Sequence, residues 1–139
     1  MTIPDYIRMG AAGIGAVIGF LIGEVDGLLY TLLALMVIDY ITGVVLAAVK
    51  HELNSQIGFK GIAKKVFILL LVIVANLLDK NVLGGSGAAR TMVVFFYLAN
   101  EGLSVLENAG NLGVPYPAGL KKILAQLKDK NDGEGDDNV

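Results

Sequence analysis

"LLYTLLALMVIDYITGVVLAAV" (residues 28–49) decides the class of this protein. At ~1.5 Å of rise per residue a helix of this length reaches ~33 Å, and a bilayer core of ~30 Å needs ~20 apolar residues. One residue resists, Asp39. About a dozen Leu, Ile and Val at roughly −0.3 to −0.6 kcal/mol each outweigh one Asp at roughly +2.5 to +3.5. The segment therefore inserts, and the acid within it needs a reason.

The rest of the chain agrees with that start. Of its 139 residues 55% are hydrophobic and only 17% charged, against about 25% charged in a soluble domain. A net charge of −2 offers no basic patch for nucleic acid. Without cysteine there are no disulfides, thiolate metal sites or palmitoyl anchors, and one histidine (His51) argues against metal sites and histidine-based catalysis. No nucleophile elbow, zinc-protease helix, phosphate loop or dinucleotide fingerprint occurs, and "GGSG" (84–87) reads as a linker. The expectation is a non-enzyme with no cofactor, metal or small-molecule substrate.

Three further apolar stretches follow the same logic. "MGAAGIGAVIGFLIG" (9–23) is short for a span; it lacks the small-residue cleavage site of a signal peptide, and the next segment begins almost at once. "VFILLLVIVANLL" (66–78) becomes long enough if its helix starts near Phe59 and Lys64 and Lys65 snorkel. "VVFFYLANEGLSVLEN" (93–108) is the last, starting near Thr91. Then "NLGVPYPAGL" breaks the helix, and Leu120, Ile123, Leu124 and Leu127 follow at i, i+3, i+4 and i+7. "DKNDGEGDDNV" (129–139) reads as a disordered acidic tail.

The expected fold is an all-α integral membrane protein with spans at about 9–27, 28–49, 59–78 and 91–108, or three spans if the first is re-entrant. Residues 1–114 form the transmembrane domain, and 115–139 a cytoplasmic amphipathic helix and tail. A cytoplasmic basic loop with Lys50, Lys60, Lys64 and Lys65 sets the orientation. With both termini inside, nine of the eleven Lys and Arg lie inside, leaving Lys80 and Arg90 outside.

Two constellations stand out. Ala11, Gly15, Gly19, Gly23 and Gly27 are spaced by four, as are Gly43 and Ala47. Such faces let helix backbones approach closely, within one bundle or between subunits. In the last span, Arg90, Tyr97, Glu101, Ser104 and Asn108 share a stripe ~60° wide at 100° per residue. Asn100, Glu107 and Asn111 lie beside it; Val93, Val94, Phe95, Leu98, Leu103 and Leu106 make the lipid face. Asp39 shares a face with Thr42, Gly43 and Lys50, and Asn76 adds an amide to the third span. At membrane depth these polar groups must meet protein or water. They either hold one bundle together or line water in an assembly.

"DYITGVVLAAVKHELNSQIGFKGIAKK" (39–65) resembles the central signature of the phage holin family that includes the clostridial toxin-release holins. "FFYLANEGLSVLENAGNLGVPYPAGLKKIL" (95–124) resembles its second signature, and the likeness covers roughly residues 23–127. The resemblance implies a protein of the host bacterial cytoplasmic membrane that accumulates, homo-oligomerises and opens lesions at a set time. An endolysin or a toxin then passes. Its partners would be the lipid bilayer, copies of itself, and an antiholin or a shorter form begun at Met9. Two alternatives stay open. A glycine-spaced first helix with a carboxylate in the second resembles the rotary-ATPase proteolipids and suggests an ion-translocating ring or small transporter subunit. An antiholin-type inhibitor could share nearly the same sequence.

Overall fold

The computed structural model describes residues 1–133, all-helical with no strand among them: α1 (Ile3–Ile22), α2 (Gly27–Val49), α3 (Ser55–Asn81), α4 (Ala88–Asn111) and α5 (Ala118–Gly133). Helices α1, α2 and α3 are each long and apolar enough to cross a membrane. Helix α4 has the length, at 24 residues, but Arg90, Asn100, Glu101, Glu107 and Asn108 dilute its apolarity. It is surrounded by protein instead, packing against α2, α3 and α5. The lipid face expected for α4 is thereby narrowed, with Val93, Phe95 and Leu103 left half-buried. Val94, Leu98 and Leu106 are buried, because α2, α3 and α5 take up most of the helix's circumference.

Local signals set the helix ends. At α1, Asp5 bonds back to the Thr2 amide at 2.8 Å and Pro4 sits in the first turn, so the helix starts well before residue 9. It stops at Gly23, where φ is +91°. A Cβ there would lie 2.8 Å from Asn76 Oδ1 and 3.2 Å from Arg90 Nε, so the turn needs glycine twice over. Gly23 and Gly27 therefore leave the face expected to continue from Gly15 and Gly19. Asp26 caps α2 through the Leu29 amide at 2.9 Å. Asn54 caps α3 through the Gln56 amide at 2.8 Å, so α3 begins four residues before Phe59. The basic loop shrinks accordingly. Lys60, Lys64 and Lys65 ride the first turns of α3, and only Lys50 stays in the connection, as the cap of α2.

Helix α4 is capped by another helix. Its N-cap is Gly87, which has no side chain, and Asp79 near the end of α3 supplies the acceptors. Its carboxylate takes the Ala89 amide at 2.9 Å and the Arg90 amide at 2.8 Å while 2% exposed. A carboxylate at a helix start also meets the positive end of the helix dipole.

The core lies between α2, α3 and α4. Leu29, Leu32 and Met36 meet Ile68 and Val72 from α3 and Val94 and Leu98 from α4. Helix α1 stands apart, contacting α3 and burying one residue, Ile22. Beyond Gly113 (φ +81°) and the two prolines, α5 turns back along α4. Leu124 seats on Gly102, where a Cβ would come within 3.0 Å of both its methyls. Tyr116 packs at Gly110. Residues 129–133, expected to be disordered, continue α5; the rest of that tail lies outside the described residues.

Replacing Asp79 by Ala strands two buried amides of α4 and should cost about 1–3 kcal/mol. Asp79→Asn keeps one acceptor and should cost less. Urea unfolding of detergent-solubilised protein reads the difference; two variants as stable as the parent would remove Asp79 from this role.

Candidate functional site

Near the middle of α2, α3 and α4 three charged side chains meet. Lys65 donates to Asp39 Oδ2 at 2.7 Å and to Glu101 Oε2 at 2.5 Å. The three come from three helices, 26 and 36 positions apart in sequence. Their side chains are 16%, 16% and 7% exposed in the order Lys65, Asp39, Glu101. One cation between two carboxylates leaves the cluster with a formal charge of −1. Removing two ions of opposite sign from water is costly, and their attraction offsets that only when geometry is good and every donor is used. Here no buried side-chain N or O among the described residues lacks a partner.

The cluster extends toward the α2 C-terminus. Asn108 Nδ2 donates to Thr42 Oγ1 at 2.9 Å and Asp39 Oδ1 at 3.2 Å. Thr42 in turn donates to the Ile38 carbonyl at 2.9 Å. Asp39, Lys65, Glu101 and Asn108, with Tyr97, Asn100 and Ser104, line a cavity of about 730 Å³ between α2 and α3, backed by α4. Gly43, Ala47, Gly58 and Gly61 thin its walls, and Lys60 and Lys64 border it. Of the polar candidates read from sequence, Asp39, Thr42, Tyr97, Asn100, Glu101, Ser104 and Asn108 thus converge.

Two others do not. Glu107 is exposed, away from the cavity. Asn76 is buried elsewhere and donates to the Leu21 carbonyl at 2.8 Å. The small residues of α1 also stay apart: a Cβ at Gly15 or Gly19 would meet nothing within 4 Å, and Ala11 is exposed. That face has no partner among the described residues of its own chain.

A second polar cluster closes the opposite end. Arg90, 9% exposed, donates to the Ile22 carbonyl at 2.9 Å, to the Glu24 carbonyl, and to Asp26 Oδ2 at 3.0 Å. It ties the α1–α2 turn to the start of α4. The Leu29 amide holds the Asp26 carboxyl below its ordinary range, and the Arg90 guanidinium adds to this. That contribution is present at neutral pH and fades as pH falls through the lowered value. Sequence reasoning placed Arg90 on the stripe but missed the inward turns of Lys65 and Asp79. The only hint was that Lys65 falls on α3 when the helix is started early.

Three apolar helices, an ion cluster at mid-bundle and an amphipathic fifth helix now stand together with a match to the bacteriophage holin family over residues 16–129. The chain belongs to that family. The probable holin of Bacillus phage phi105 is 40% identical over 113 residues, 81% of this chain and 82% of that one. The uncharacterized 14.9 kDa protein in the nagH 3′ region of Clostridium perfringens is 42% identical over 129 residues, covering 93% and 98%. An uncharacterized protein of Listeria innocua is 44% identical over 128 residues, covering 92% and 91%. No solved structure matches. Family and apolar helices together make this holin-family chain a membrane protein.

Replacing Lys65 by Met leaves two carboxylates without their shared cation, and should cost about 3–5 kcal/mol. Combining it with Asp39→Asn and Glu101→Gln should recover most of the loss. Unfolding in detergent reads both; a Lys65→Met protein as stable as its parent would show that the cluster contributes nothing.

Proposed function

We propose that this chain is a holin, a non-enzymatic protein that accumulates in the host cytoplasmic membrane, oligomerises and opens lesions that time lysis. The observation that carries the reading is the Lys65–Asp39–Glu101 cluster, three charges from three helices that meet at the middle of the bundle. Charges at that depth are expensive and must meet protein or water. In the closed protomer they meet each other. In the open assembly they and the stripe through Tyr97, Ser104 and Asn108 meet water, and the passage admits an endolysin or a toxin.

The assembly surface is the glycine face of α1. Gly15 and Gly19 leave its backbone open to close approach, which is a main source of helix association in lipid. In this reading α4 is a fourth span, sheltered by its neighbours, and both termini lie in the cytoplasm. Lys50, Lys60 and Lys64 then mark the inner side, where basic residues collect. An antiholin or a form begun at Met9 would act by joining the same assembly.

Induced expression in a bacterium should give an abrupt collapse of membrane potential after a delay. Steady pH-dependent ion flux would favour a transporter subunit, and harmless accumulation an antiholin. Glu101→Leu leaves Lys65 paired with Asp39 alone and cannot be wetted, so the collapse should come severalfold later or not at all, with membrane insertion intact. Unchanged timing would remove Glu101 from the mechanism.

A further inference from the structure

The cavity between α2 and α3 opens on the flank of the bundle. Val44, Phe67 and Leu71 on its rim are exposed, and behind them stand Asp39 and Lys65, each 16% exposed. Their cluster has one cation to two carboxylates, a formal charge of −1. Hydrocarbon cannot satisfy an ion at that depth, so the neighbour of this opening is protein or water. A protein neighbour that matches it brings a cation. Asp39 has room for one: it accepts from Lys65 on one oxygen and from Asn108 on the other, and a carboxylate offers about four acceptor sites.

Arg8 has the charge, the height and the surroundings for that role. It is exposed and, among the described residues, has no hydrogen-bond or ion-pair partner. Asp5, one turn away, is engaged with the Thr2 amide and hydroxyl. Counted from the outer ends of their helices, Arg8 lies fourteen residues from Ile22, Asp39 twelve from Gly27 and Glu101 thirteen from Ala88. At 1.5 Å per residue these are heights of ~21, ~18 and ~20 Å, and an extended arginine covers the difference. Arg8 also shares its side of α1 with small residues. Ala12, Gly15 and Gly19 fall with it in a stripe ~60° wide at 100° per residue, and a Cβ at either glycine meets nothing within 4 Å. Such a face lies close against a neighbour. Within its own chain α1 packs on α3 near the outer end and not on α2, whose residues form the other wall of the cavity. The matching neighbour is therefore a second copy.

We propose that Arg8 of one copy enters the α2–α3 cavity of the next and pairs with Asp39, the glycine face of α1 covering the opening while the assembly is still shut. This rests on the orientation and self-assembly of the holin reading, and names the surface that the α1 face meets. Copies related by rotation about an axis along the membrane normal keep their heights, so the arginine arrives at the level it holds in its own chain. It makes two cations to two carboxylates and brings the cluster to neutrality. The two surfaces differ, α1 on one side and the α2–α3 opening on the other, and such head-to-tail contacts repeat into rings or chains. Wetting the cluster then requires the arginine to withdraw.

The test is a disulfide between copies of the full chain in bacterial membranes, sampled before any potential collapse; the chain has no cysteine of its own. Ala12 and Leu71 each lie ten residues from the outer ends of their helices, one on the Arg8 face and the other on the cavity rim. Ala12→Cys and Leu71→Cys are placed on two differently tagged copies expressed together, so that a bond between them joins two molecules. Oxidation should give the mixed dimer, and Gly10→Cys, on the opposite side of α1, should not replace Ala12→Cys in it. Arg8→Gln on the Ala12→Cys copy should lower the yield severalfold. Asp39→Asn on the Leu71→Cys copy should lower it equally, with no further loss when the two are combined. A yield that Arg8→Gln leaves unchanged assigns the arginine to lipid headgroups and overturns the contact. Ala12→Cys copies that bond only to each other overturn it too. Potential collapse in cells that give no mixed dimer removes the contact and leaves the holin reading. A mixed dimer that depends on Arg8, without collapse, keeps the contact and removes the holin reading.

Discussion

The ammonium group of Lys65, shared between Asp39 and Glu101, is the constraint around which the bundle is arranged. Helices α2 and α3 scarcely touch each other, whereas α4 packs against both. The ion cluster therefore ties together two helices whose direct contact is slight and whose apolar residues share one core layer with α4. The cavity between them is its counterpart: small residues thin the walls, and a polar lining reaches from Lys65 to Asn108. Such a joint resists partial opening, since parting any one helix leaves a buried charge behind.

Capping between helices adds a second layer. Asp79 begins α4 from the end of α3, and Arg90 reaches from the first turn of α4 to the turn before α2. The two ends of α4 are thus held by different means, buried ionic contacts at one and the Asn108–Thr42 hydrogen bond toward the other. Among α1 to α4, α4 is the least apolar helix and has the most protein around it, which gives its polar side chains partners.

Much of this was legible from sequence. The order of helices followed from apolar runs separated by turn residues, and α2 was bounded almost to the residue. The polar stripe on α4 was legible because helical periodicity places Tyr97, Glu101, Ser104 and Asn108 together whatever they face. What they face was not. Pairing Lys65 with residues on two other helices is a tertiary fact, and local composition assigned that lysine to a basic loop. The docking of α5 escaped for a related reason. Leu120, Ile123, Leu124 and Leu127 announce an amphipathic helix equally well for a membrane surface or for a neighbouring helix, and the seat at Gly102 decides. Glycine spacing in α1 was visible, but Gly23 belonged to a turn whose tightness depends on Asn76 and Arg90 from distant segments.

That turn has a mechanical consequence. Helix α1 is anchored at its C-terminal end, where Ile22 is buried, Leu21 accepts from Asn76, and Lys80 stands 5.4 Å from the Phe20 ring centre. The rest of the helix is a cantilever, its free end at Ile3 lying ~30 Å from Gly23 at 1.5 Å per residue. A rotation of ~10° at Gly23 carries Ile3 through ~5 Å at that arm length. The load returns to a hinge made of two carbonyls and one guanidinium. A force applied by a neighbour near the free end is thus multiplied at Arg90, on the first turn of the helix that carries Glu101.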